Sequence, residues 1–119
     1  MVYTSSTMSL ATLELLVHLD PICIPTDLRS IRIVIPENVS CEWITLAMLP
    51  RRWRDYPAPI DLQEIGSRWL HERRSLALVV PSAVNPEEEN ILVNPLHPEI
   101  TNIVDVREKP FQFDPRLRK

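Results

Sequence analysis

Apolar residues recur along this chain in three distinct rhythms, and each predicts a different element. In SLATLELLVHL, Ser9 to Leu19, the residues Leu10, Leu13, Leu16 and Val17 fall at helical spacing and form a broad stripe. This is the strongest helix, with Ser9 or Ser6 as its cap and Pro21 as its end. In SIRIVI, Ser30 to Ile35, the isoleucines 31, 33 and 35 alternate, which predicts a strand with one well-buried face. SLALVV, Ser75 to Val80, is short and apolar on both faces, the pattern of a central strand.

Weaker signals fill the intervals. Pro50, Pro57 and Pro59 frame a loop carrying Trp53 and Tyr56. Beyond it Leu62, Ile65, Trp69 and Leu70 predict a second helix, with Asp61 as its cap and a Glu64–Arg68 pair at i,i+4. Pro81 and Pro86 bracket a turn before a short strand over Asn90 to Val93. A strand over Asn102 to Val106 continues the sheet, and Phe111 and Phe113 form a last edge. Val2, Tyr3 and Thr4 resemble the end of a strand. Two helices with four or five strands and no βαβα alternation predict a single mixed α+β domain rather than a doubly wound sheet.

Composition narrows the chemistry more than the fold. The chain has 119 residues with ordinary hydrophobic (45%) and charged (24%) fractions, so a disordered or collagen-like chain is excluded. Glycine is the exception: average usage near 7% would give roughly eight, and Gly66 stands alone. Neither GxGxxG nor GxxxxGK[ST] can be written with one glycine, so no Gly-rich phosphate loop exists here. A net charge of −3 argues against direct nucleic-acid binding. Clusters such as Arg51-Arg52-Trp53-Arg54 read first as solvated faces. Cys23 and Cys41 are too few for a disulfide scaffold, and His18, His71 and His97 show no zinc-ligand spacing, so no metal is expected. With neither a signal peptide nor a membrane span in the sequence, the expectation is a cytoplasmic protein.

A few polar residues stand where chemistry is possible. Glu14 interrupts an apolar helix, and burial there requires a hydrogen-bonding partner or a ligand. His18, four residues on, is a candidate partner, although an ordinary boundary Glu–His pair explains the spacing equally well. Ser82 follows the central strand, where either a ligand contact or a plain ST-turn is common. No G-x-S-x-G elbow marks it as a nucleophile. Asn90, Asn94 and His97 lie in NILVNPLHP, whose X-Pro steps predict an extended polar loop in which Asn94 caps a turn or faces a ligand. Tyr3 is either a core or a platform aromatic.

Taken in order, the segments resemble one family. YTSSTMSLATLELLVHL is similar to the helix-bearing motif of the RES domain, named for its Arg, Glu and Ser. ALVVPSAVNPEEENILVNPLHPEI resembles that family's VPSAV…N…LLNP.HP signature, and PFQFDPRL its usual ending. LPRRWRDYPAP and IGSRWL fall where the family has a Trp-containing loop and a Gly-x-x-Trp-Leu helix, so the resemblance covers essentially the whole chain.

The resemblance implies an ADP-ribosyltransferase-like fold and the toxin half of a bacterial toxin–antitoxin pair. It implies cleavage of the N-glycosidic bond of NAD, as substrate rather than bound cofactor, with degradation or ADP-ribosyl transfer as the outcome. Glu14 takes the family's Glu, Ser82 its Ser, and Tyr3 the place of a tyrosine at the nicotinamide end. His18 and Asn94 match motif positions in or beside the pocket. The implied partner is an antitoxin with a helix-turn-helix portion, with a homo-oligomer possible within the complex. The family's Arg, which lies upstream of the tyrosine motif, has no counterpart, and Arg29 and Arg32 cannot be mapped onto it. The expectation is therefore an N-terminally shortened RES domain over 1–119, binding NAD weakly or not at all. The alternative is a catalytically inactive remnant that acts only as an antitoxin-binding module.

Overall fold

In a computed structural model of the chain, residues 1–20, 22–103 and 105–118 are described. Eight regular elements follow in order: β1 (Val2–Ser5), α1 (Met8–His18), β2 (Arg29–Val34), β3 (Cys41–Trp43), α2 (Ile60–Glu72), β4 (Ala77–Pro81), β5 (Glu89–Val93) and β6 (Asp105–Pro110). The strands form two sheets, one ordered β1-β5-β4-β3 and the other a ribbon of β2 and β6. The fold is mixed α+β.

The apolar run at 75–80 is central, as its two-faced hydrophobicity requires. β4 pairs antiparallel with β5 and parallel with the short β3, which the sequence pattern does not reveal. β1 adds antiparallel to β5, with Tyr3 opposite Leu92 and Ser5 opposite Asn90. One core cluster packs Trp69 of α2 on the cross-strand pair Leu78 and Leu92. A second gathers Val39, Leu76 and Val93, with Ile100 and Ile103 against them. Trp69 is fully buried, and its indole N–H donates to Ser75 Oγ at 2.7 Å, which satisfies the one polar atom of the ring.

Several sequence expectations are corrected. α1 is capped by Thr7, whose hydroxyl accepts from the Leu10 amide at 3.1 Å, and not by Ser6 or Ser9. Its apolar stripe is not the buried face. Leu10 is fully buried, whereas Leu13 and Val17 are 42% and 62% exposed, because the face turned to the sheet is the one that Leu10 shares with Glu14. α2 begins at Ile60, so Pro59 occupies the cap position and Asp61 lies in the first turn. Glu64 and Arg68 form no ion pair among the described residues.

β2 has no well-buried face, since among the described residues it pairs with β6 alone and Ile31 stays 60% exposed. Pro98 opens a 3-10 turn through Asn102, with His97 as its cap, so the strand expected from 102 starts at Asp105 and joins the ribbon instead of the main sheet. Val104 lies outside the described residues, as does Pro21, the expected stop of α1. Phe111 and Phe113 are not a strand but pack edge to face, with ring centroids 5.2 Å apart. The lone glycine, Gly66, sits inside α2, where an added Cβ would make an ordinary contact with the Met1 side chain at 3.9 Å. The one left-handed residue among those described is Arg73, at the C-terminal cap of α2, where glycine is usual.

Candidate active site

Where β1, α1 and the ends of β4 and β5 converge, three hydrogen-bonding side chains meet a single carboxylate and a fourth bonds one of them. Ser82 donates to Glu14 Oε1 at 2.8 Å. Ser5 and Asn90 Nδ2 both donate to Oε2, each at 2.9 Å. The Tyr3 hydroxyl donates to Asn90 Oδ1 at 3.0 Å, completing a chain from β1 through β5 to α1. Ser82 and Asn90 are fully buried, and Glu14 is half-buried.

Each position has a local cause. Thr7 starts α1 so that Glu14, one turn beyond the buried Leu10, faces the sheet. Ser82 leaves β4 in a turn where its hydroxyl accepts from the Val84 and Asn85 amides at 3.1 and 3.2 Å. Both lone pairs of that hydroxyl are thereby used and its proton is committed to Glu14, so the ST-turn and the contact to Glu14 are one arrangement. Asn90 is held by its ladder position opposite Ser5, by the Thr4 carbonyl at 3.1 Å and by Ser5 Oγ at 3.2 Å.

Three donors converge on a group with about four acceptor positions. Oε2 is filled by two of them, and Oε1 keeps one position open beside Ser82. The cluster fixes a carboxylate in orientation and leaves it capacity for one further donor. The Tyr3 ring is 61% exposed while its hydroxyl is drawn inward. Burial of that hydroxyl and, secondly, the negative charge of Glu14 push its pKa above the ordinary tyrosine value.

The structure thus brings Tyr3, Glu14 and Ser82 together. It adds Ser5 and Asn90, which sequence reasoning did not place there. Asn90 lies in β5, as the strand expected over Asn90 to Val93 requires, and not in the extended loop expected of NILVNPLHP; its bond to Glu14 is what the sequence does not show. Ser5 is legible only once β1 is seen to pair with β5. His18 lies about 6 Å further along the helix axis and makes no bond to Glu14; its ring stands 6.2 Å from that of Tyr56. The Glu–His pairing suggested by their spacing is absent: the bonds of Glu14 go to Ser5, Ser82 and Asn90. Asn94 is set apart too. Four residues beyond Asn90, roughly 13 Å along an extended chain, it donates to the Leu70 carbonyl at 3.2 Å and accepts from the Leu96 amide at 3.0 Å. It caps a turn and fastens it to the end of α2.

No group of three or more His, Cys, Asp or Glu side chains that would hold a metal occurs among the described residues. Cys23 and Cys41 are free and exposed. Among the described residues no helix is long and apolar enough to cross a membrane.

Comparison with known proteins gives this chain a family. The RES domain model matches residues 1–114. The chain is 36% identical over 118 residues to the "Prs ADP-ribosylating toxin" of Sphingobium sp. strain YBL2, covering 98% of this chain and 73% of that protein. It is 37% identical over 118 residues to "Toxin Res" of Yersinia enterocolitica, covering 98% and 77%. A third similar protein, "Toxin Res" of Photorhabdus laumondii, is 36% identical over 119 residues, covering 99% and 76%. The chain belongs to the RES domain family of toxins.

Proposed function

We propose that this chain is a toxin that cleaves the N-glycosidic bond of NAD, with Glu14 as the catalytic carboxylate. The reading is carried by one observation: both oxygens of Glu14 are fixed by Ser5, Ser82 and Asn90 while one acceptor position stays open. Glycosidases acting on ordinary sugars need a second carboxyl group because the leaving oxygen must be protonated. Nicotinamide leaves a cationic pyridinium as a neutral base and takes the electron pair of the broken C1′–N bond, so no general acid is required. The remaining sugar is an oxocarbenium ion, and a fixed carboxylate that also accepts a ribose hydroxyl stabilises it where its charge develops. An acceptor then bonds to C1′ and releases its proton. Water or phosphate gives NAD degradation, and a protein side chain gives ADP-ribosyl transfer, the activity named for the Sphingobium relative. Ser82 orients Glu14, and the exposed face of Tyr3 is the surface for the departing ring. In the cell, an antitoxin with a helix-turn-helix portion holds the toxin in check.

Replacing Glu14 by Gln tests this directly. NAD consumption should fall roughly 100- to 1,000-fold. The amide nitrogen would face either Ser82 or Asn90, both donors, so stability should also fall by about 1–3 kcal/mol. Activity is therefore compared on protein shown to be folded by circular dichroism. A folded Glu14→Gln chain consuming NAD at the native rate would falsify the assignment. A native chain that consumes none, yet binds its antitoxin, would leave the non-enzymatic binding module.

A further inference from the structure

The Pro-framed loop of residues 50–59 meets the Glu14 site at one point and the helix that carries Glu14 at another. Arg54 Nε donates to the carbonyl of Ala83, the residue after Ser82, at 2.9 Å. Tyr56 sets its ring 6.2 Å from that of His18, on the helix that carries Glu14. The loop therefore spans from the turn after β4, beside Ser82, to the end of α1. Within it the Trp53 amide bonds the Pro50 carbonyl and the Asp55 amide the Arg52 carbonyl, so consecutive turns fix its backbone.

Arg54 is anchored but its charge is not answered. Its described partner is a neutral carbonyl, and no carboxylate pairs with it among the described residues. In the same loop Arg52 is paired with Asp55, and among the described residues Arg51 has no bond that ties it to those around Ser82. Holding Nε to Ala83 leaves the two terminal nitrogens of Arg54 free, the planar donor pair that matches two phosphate oxygens. A dinucleotide brings a diphosphate with two negative charges to a site that already carries Glu14, and the chain has no Gly-rich loop to receive it. We infer that Arg54 binds the diphosphate of the substrate and so sets the preference of this site for a dinucleotide over a nucleoside.

The inference rests on the NAD reading, and its test separates the two. Binding of ADP-ribose and of adenosine, which lacks phosphate, is measured by calorimetry on the full chain and on Arg54→Gln and Arg54→Lys. Arg54 is exposed, so both variants should keep the native melting temperature. ADP-ribose should bind the native chain, weaken at least tenfold in Arg54→Gln, and recover in part in Arg54→Lys; adenosine binding should not change. Equal ADP-ribose affinity in the native chain and Arg54→Gln would overturn the role of Arg54 and leave the NAD reading intact. Parallel loss of ADP-ribose and adenosine in Arg54→Gln would overturn it too, as a structural effect. Absence of ADP-ribose binding to the native chain would overturn both.

Discussion

The four-stranded sheet and the β2–β6 ribbon are built from similar strands, yet they hold polar groups in opposite ways. In the sheet, β4 and β5 are buried, and the polar side chains admitted there, Ser82 and Asn90, are each satisfied by several partners. In the ribbon, Ile31 and Val106 are each 60% exposed and the polar groups face water. Every residue that contacts Glu14 comes from the sheet and its flanks, and none from the ribbon. A carboxylate can be held in one orientation only where burial makes a missing partner costly. Arg29 and Arg32, which cannot be mapped onto the family's Arg, lie on the ribbon, and Arg29 pairs there with Glu108.

This contrast breaks most readily at the core. Trp69→Ala removes a fully buried ring and leaves Ser75 without its indole donor. The expected loss is about 3–5 kcal/mol, read as a lower denaturant midpoint in urea. Ile31→Ala on the ribbon should cost far less, since most of that side chain is already in water. Equal losses would mean that the ribbon is covered in solution.

Asn90→Ala comes next. It strips one donor from Glu14 and the acceptor from Tyr3, and frees the Thr4 carbonyl. Stability should fall by about 1–3 kcal/mol. NAD cleavage, measured on folded protein, should fall with it, because Glu14 is then free to rotate. Retention of the full rate would show that Ser82 and Ser5 suffice to orient the carboxylate.

Much of the sheet half is legible in the sequence, and the reason is physical. Residues 75–80 are apolar on both faces, which only a central strand accommodates, and Glu14 stands out because it interrupts an apolar helix. Asn90 and Ser5 are hidden because their roles come from strand pairing across more than 80 residues, which leaves no local periodicity. The ribbon misleads for the opposite reason. Alternation in SIRIVI records which residues share a face, not whether anything covers that face. Leu13 and Val17 mislead similarly, since the helix turns its Leu10–Glu14 face to the sheet.

Acid should act on the boundary between the two halves before it acts on the ribbon. Glu99 accepts from the Ser40 hydroxyl at 2.5 Å and the Ser40 amide at 2.8 Å, and these bonds hold its pKa below the usual value near 4.5. A carboxyl depressed by folding stabilises the fold above its unfolded pKa, and that contribution is lost as pH falls through the folded value. The native melting temperature should therefore drop more steeply below about pH 4.5 than that of Glu99→Gln. Parallel pH profiles would remove Glu99 from the acid response.

The smallest effect is expected at the ribbon's own ion pair. Arg29 and Glu108 are in contact with their side chains about half exposed, 50% and 53%. Glu108 lies opposite Ile31 in the ladder, so the pair is diagonal, the weaker cross-strand relation. Exposed pairs of this kind contribute about 0.2–1 kcal/mol, and salt screens them. A double-mutant cycle of Arg29→Ala and Glu108→Ala should give a coupling within that range, diminishing between low and high salt. A larger, salt-insensitive coupling would mean that the pair is shielded from water. The ribbon would then hold charges as the sheet holds Glu14, and the distinction between the two regions would fail.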